Sequence, residues 1–103
     1  ANDRSDALLA HEQLHFDIAE LYARKIRKKV SELEKRGVND IKVYNAVITQ
    51  LLDESNERDQ RYDIETLHGA MTKKQATWEK TVEEELESLQ RYKKSKQIIR
   101  ARS

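Results

Sequence analysis

The stretch Leu8-Leu9-Ala10-His11-Glu12-Gln13-Leu14-His15-Phe16-Asp17-Ile18-Ala19-Glu20-Leu21-Tyr22 decides the fold of this chain. Leu8, Leu14, Ile18 and Tyr22, continued by Ile26, Val30 and Leu33, recur at spacings of three and four, the period of an amphipathic helix. The reading predicts one helix over about residues 6–36, with Ser5 or Asp6 as N-cap and Gly37 as the stop. His11 and His15 are separated by four residues, so they fall about 40° apart on the stripe that carries Ile18 and Tyr22. Both imidazoles therefore face inward.

Working outward, Asn39 or Asp40 can cap a second helix over about 40–67, with apolar positions Ile41, Tyr44, Val47, Ile48, Leu51 and Leu52. The wholly polar run Asn56 to Arg61 marks a place where that helix is expected to fray or bend. Thr72-x-x-Gln75 has the form of a capping box, and Met71, Trp78, Val82, Leu86, Leu89 and Tyr92 mark a third helix over about 73–98. The tail after Tyr92 is basic and is expected to be loosely held. Short connections make neighbouring helices antiparallel, so the expected architecture is all-α, an up-down-up bundle of three long helices in a single domain over 1–103.

Composition agrees. The 103 residues contain no proline, two glycines and no cysteine, with 37% hydrophobic and 38% charged residues, which describes a helical chain with a thin core. A metal site here must use His, Asp or Glu, since there is no thiolate. The net charge of +1 creates no global field toward nucleic acid or anionic lipid. Basic runs such as Arg27-Lys28-Lys29 are balanced by Glu83-Glu84-Glu85 and Glu87, so no nucleic-acid partner is expected. No apolar run is long enough to span a bilayer, so no membrane partner is expected either.

The pentapeptide His11-Glu12-Gln13-Leu14-His15 has the HExxH form, in which two imidazoles one turn apart bind zinc and the intervening glutamate acts as a base. With three histidines in the chain, composition alone yields about 0.01 such matches. A third protein ligand is needed. The metzincin extension is excluded, because positions 18 and 21 are Ile18 and Leu21. Glu32 and Glu34 lie on the same rigid helix, roughly 25 Å from His15. If the chain reverses near residue 38, His11 faces Glu65 and His15 faces Arg61, which brings Tyr62, Asp63, Glu65 and His68 beside the motif. His68 is the expected third ligand and Glu65 the alternative. Glu12 is the expected general base, and Tyr62 either an oxyanion donor or a core residue. Asp63 and Asp17 are read first as exposed helix charges, with orientation of a ligand imidazole through its second nitrogen as the alternative.

Leu9 to Glu20, together with Tyr62-Asp63-Ile64-Glu65-Thr66-Leu67-His68-Gly69, resembles a bacterial family of predicted secreted zinc-dependent proteases that is also catalogued as a domain of unknown function. The likeness lies in an HExxH followed by Phe-Asp, then a downstream Tyr-Asp-x-x-Thr-x-His-Gly block, with Gln75 and Trp78 similar to its closing segment. The resemblance implies Zn2+ on His11, His15 and His68, Glu12 as catalytic carboxylate, Tyr62 and Asp63 as supporting residues, a peptide or protein substrate and an extracytoplasmic location. Such families carry a region before the HExxH helix, so this chain reads as the C-terminal part of a larger zincin-like domain, packed against that region or in an oligomer. The competing reading is a non-catalytic helical interaction module whose thin core is completed by a partner.

Overall fold

A computed structural model describes the backbone of residues 2–94 and the side chains of residues 5–94. Three helices follow one another, α1 (Asn2–Lys35), α2 (Ile41–Thr66) and α3 (Thr72–Ser88), and a short 3-10 turn at Gln90–Tyr92 closes the described chain. Each helix packs on the other two, in the expected up-down-up order, and no strand occurs among the described residues. α1 is already helical before Ser5 and Asp6, so neither residue caps it.

The first reversal is built from Gly37, whose φ of +76° is a left-handed conformation that costs a side-chain-free residue little. Its amide donates to the Glu34 carbonyl, and that of Val38 to the Leu33 carbonyl, closing α1. Asp40 then caps α2, accepting a hydrogen bond from the Lys42 amide at 2.9 Å.

α2 runs unbroken through Asn56–Arg61, where the sequence suggested fraying. The polar side chains there have partners on the neighbouring helices: Arg58 forms a two-pronged ion pair with Glu85 of α3, and Asp59 contacts His15 of α1. α3 also departs from expectation at both ends. Its N-cap is Met71, with no side-chain hydrogen bond, so the Thr72-x-x-Gln75 capping box does not form; Gln75 points into the bundle instead. Its C-terminus falls at Ser88 rather than near residue 98. Arg24 and Arg27 of α1 reach across to the carbonyls of Leu86 and Tyr92, at 2.6 and 2.7 Å, and supply the donors that the end of a helix lacks. The remainder of the predicted third helix and of the basic tail, from residue 95, lies outside the described residues.

The core is narrow, as the composition requires. Leu14, Ile18, Leu21 and Tyr22 of α1 meet Tyr62 of α2 and Val82 of α3, with Leu51, Trp78, Leu86 and Leu89 packed around them. Fully burying a side chain of this kind contributes about 1.5–3 kcal/mol. Leu8, Ile41, Leu52 and Met71, expected on inward faces, are exposed.

Candidate metal centre

His11 and His15 enter the α1–α2 seam because α1 turns its apolar stripe inward there. His11 is 3% exposed, and its ring stacks on that of Tyr62, with centroids 4.5 Å apart. The His11 Nε2 lies 2.8 Å from Oδ1 of Asp63, and the His15 Nε2 lies 2.9 Å from the same oxygen. His11, His15 and Asp63 thus form a group of three whose potential ligand atoms all lie within 4.8 Å of one another.

The other ring nitrogens decide what these atoms are. His15 Nδ1 is 2.7 Å from Oδ1 of Asp59, an acceptor only, so Nδ1 carries a hydrogen. His11 Nδ1 is 3.0 Å from Oε1 of Gln75. The orientation of that amide follows from its surroundings: its nitrogen donates to Oε2 of Glu79 at 3.0 Å and to the Tyr62 hydroxyl at 2.8 Å. A flipped amide would set its oxygen against the Glu79 carboxylate. His11 Nδ1 is therefore also a donor. In the neutral form of both rings, each Nε2 is a bare lone pair aimed at a carboxylate oxygen, so three acceptors converge with no protein donor between them.

Such a cluster needs a cation, either protons on the imidazoles or a metal ion. Partial burial works to depress the His15 pKa, but the hydrogen bond and charge of Asp59, joined by Asp63, outweigh it and raise the pKa above the usual histidine value. For Asp63, desolvation works upward, yet the hydrogen bond from His11 and the charge of His15 hold the carboxyl below the ordinary aspartate value. The donor set also suits a divalent ion. Ligands sharing a tetrahedral zinc stand roughly 3.3 Å apart; the two nitrogen–oxygen separations here, 2.8 and 2.9 Å, are close to that, and both imidazoles have the second-nitrogen partner that metal-binding histidines usually possess.

The remaining expected residues fall into place around this group. His68 lies beyond the end of α2, with its side chain 80% exposed and its Nδ1 3.9 Å from Oδ1 of Asp63, so it stands at the rim rather than among the three. The reason is local: α2 stops at Thr66, and Leu67 and His68 take left-handed φ values of 48° and 56°, which leaves the His68 side chain turned toward solvent. Glu65 faces α3, where it accepts a hydrogen bond from Trp78 Nε1, and does not join the site. Glu12 is exposed beside His11. Tyr62 is fully buried; its hydroxyl donates to the His11 carbonyl at 2.8 Å, and burial pushes its pKa up to about 12.

Four residues of the downstream block, Tyr62, Asp63, Thr66 and Gly69, have a task in this geometry. Tyr62 supports the His11 ring and backbone, and Asp63 joins the two imidazoles. Thr66, fully buried, donates from its hydroxyl to the Tyr62 carbonyl at 2.7 Å and anchors the left-handed turn. Gly69, at φ +96°, lies against the His11 ring. Asp59, Gln75 and Glu79 were not singled out as site residues by periodicity. The available signal was the i, i+4 pair Asp59/Asp63, which mirrors His11/His15 on the facing helix.

These features define an all-helical protein with a partly buried His–His–carboxylate cluster across a helical hairpin. Residues 2–69, about two thirds of the chain, match the model of a family described as bacterial protein of unknown function (DUF922), and the chain belongs to that family. The match covers α1, α2 and the turn to Gly69, and hence every residue of the cluster and of the downstream block. Neither the curated proteins nor the solved structures contain a match.

Proposed function

We propose that this chain carries the metal centre of a zinc-dependent hydrolase acting on peptide bonds. The observation that carries the reading is the meeting of two imidazole Nε2 atoms and a carboxylate oxygen, with both Nδ1 atoms committed as donors elsewhere. His11 and His15 would hold the ion through Nε2 and Asp63 through Oδ1. Zinc, when bound, supplies Lewis-acid charge and makes water a usable nucleophile near neutral pH.

The chain's own residues provide the rest. Glu12 follows the ligand His11, is exposed, and has no hydrogen-bond or ion-pair partner among the described side chains, so its carboxylate is free to take a proton from water and pass it to a departing amine. Gln75 and Asp59 hold the two imidazoles in the tautomer that leaves Nε2 available. Tyr62 acts in this reading as a positioning residue beneath His11, since its hydroxyl is engaged within the bundle.

A second reading has its own observation. Leu67 and His68 are side-chain-bearing residues held at positive φ, a conformation that costs free energy and often persists at functional sites. In that reading His68 replaces Asp63 as the third protein ligand, and Asp63 orients the imidazoles. Metal titration by calorimetry with elemental analysis separates the two: loss of binding in Asp63→Ala with retention in His68→Ala supports the first, and the converse supports the second. Stoichiometric zinc affinity unchanged in His11→Ala and His15→Ala would remove both. Peptide hydrolysis by the zinc-loaded wild type, absent in Glu12→Gln, is the test of the enzymatic step.

A further inference from the structure

For a neutral His11, the Nδ1–H tautomer is the poorer of the two as far as Asp63 is concerned. It points a bare Nε2 at Oδ1 of Asp63, 2.8 Å away, with no hydrogen between the two acceptors. The other tautomer would end that conflict: Nε2–H would donate to Asp63, and Nδ1 would accept from the Gln75 amide once that amide turned over. A neighbouring group must hold the amide against this exchange.

Of the three groups hydrogen-bonded to the Gln75 amide, His11, Tyr62 and Glu79, one alone can choose its orientation. His11 offers a donor or an acceptor according to its tautomer. The Tyr62 hydroxyl, 2.8 Å from the amide nitrogen and 3.0 Å from the amide oxygen, also serves either way. It can accept from the nitrogen, or turn its hydrogen from the His11 carbonyl onto the oxygen. Glu79 has no such freedom. Its Oε2 lies 3.0 Å from the amide nitrogen, and a carboxylate only accepts, so an oxygen turned toward it would be repelled.

Glu79 follows Gln75 by four residues on α3, which puts the two on one face of the helix. It is half-buried, forms no ion pair among the described residues, and has Gln75 as its only hydrogen-bond partner there. It borders a cavity of about 370 Å³ together with Gln13, Asp17 and Glu83. Burial is the main reason that the Tyr62 pKa lies high, and the charge of Glu79 adds to it, so the carboxylate is felt inside the network. On the facing side of the centre Asp59 acts on His15 directly, as an acceptor at Nδ1.

We infer that Glu79 is a positioning residue for the metal centre: by orienting Gln75 it keeps His11 in the Nδ1–H tautomer, with Nε2 free for a cation, against the tautomer that would satisfy Asp63. The inference rests on the metal-binding reading above and extends the site to a carboxylate of α3, outside the residues 2–69 that match the family.

Glu79→Gln is the decisive variant, because glutamine has nearly the same shape but can donate as well as accept, and so loses the power to choose. Long-range proton–nitrogen NMR of the metal-free protein, in alkaline buffer where imidazoles are neutral, reads which ring nitrogen carries the hydrogen. In the wild type His11 should carry it on Nδ1, and in Glu79→Gln on Nε2, with little change in thermal midpoint since no hydrogen bond is lost. Zinc affinity should fall by about 10–100-fold in the same variant. Glu83→Gln removes an equal charge at the same cavity without touching Gln75, and should keep the wild-type tautomer and affinity. A hydrogen on Nε2 of wild-type His11 overturns the inference, whether or not the variant folds. An unchanged tautomer in Glu79→Gln also overturns it, and zinc uptake by the wild type then leaves the metal reading standing. A switched tautomer with unchanged zinc affinity, or an equal loss of affinity in Glu83→Gln, overturns it as well. A switched tautomer in a protein that takes up no zinc supports the hold of Glu79 on His11 and removes the metal reading.

Discussion

Gly69 rests directly on the imidazole of His11. A Cβ added at Gly69 would stand 3.1 Å from His11 Cβ and 3.3 Å from His11 Nδ1, and φ there is +96°. Alanine at this position is therefore strained twice, by conformation and by contact. Gly69→Ala should lower stability by about 1–3 kcal/mol and should weaken metal binding as the ring shifts. Gly37→Ala, which has open space around it at φ +76°, should cost only the conformational part. Comparing urea midpoints and zinc affinities of the two variants separates the contact from the backbone term.

Loss of the hydrogen-bond partner at the second nitrogen of each ring should have a graded effect. Gln75→Leu and Asp59→Leu should each reduce zinc affinity by about 10–100-fold without removing a ligand. Gln75→Leu should also cost about 1–3 kcal/mol of stability, because the Tyr62 hydroxyl loses a buried donor. Equal zinc affinity across wild type and both variants would refute the orienting role.

Glu12 and its neighbours differ in what they should lose. Glu12→Gln is expected to bind zinc as the wild type does and to show no hydrolysis, measured as single-turnover cleavage of a peptide at saturating metal. A loss of metal in that variant would make Glu12 a ligand and contradict its assignment.

The metal-free protein should show a stability optimum in mild acid. His15 has a folded-state pKa above the usual 6.5, so its contribution is complete below that value and disappears as pH rises through the higher folded pKa. Asp63 has a folded-state pKa below the usual 3.8, so its contribution is complete above that value and disappears as pH falls through the lower one. Thermal midpoints of the metal-free form should therefore be highest between about pH 4 and 6.5, and should fall toward pH 8. Saturating zinc should reverse the alkaline limb, since neutral imidazoles bind metal. Asp59→Asn should flatten that limb in the metal-free form.

Much of this arrangement could be read from the chain before any coordinates. The three-and-four spacing from Leu14 to Leu33 and the two glycines set the helices and their reversals, and the hairpin register placed Asp63 within one turn of the motif. Periodicity does not reveal a polar residue that answers to another helix rather than to its own. Asn56–Arg61 looked like a weak point because Arg58 and Asp59 find partners only across the bundle, on Glu85 and His15. Gln75 looked like half of a capping box, and nothing in a periodicity reveals the left-handed backbone at Leu67 and His68 that sets His68 at the rim of the cluster.

α3 is fastened to α1 at both ends. Near its start Gln75 bonds to His11, and near its end the Leu86 carbonyl is held by Arg24, with only Val82 fully buried between them. The helix thus behaves as a gauge block: eleven residues, about 16 Å at 1.5 Å per residue, measured against a fixed length of α1. Lengthening or shortening it by a single residue would rotate one fastening out of register, so the centre's sensitivity should extend to the far end of α3.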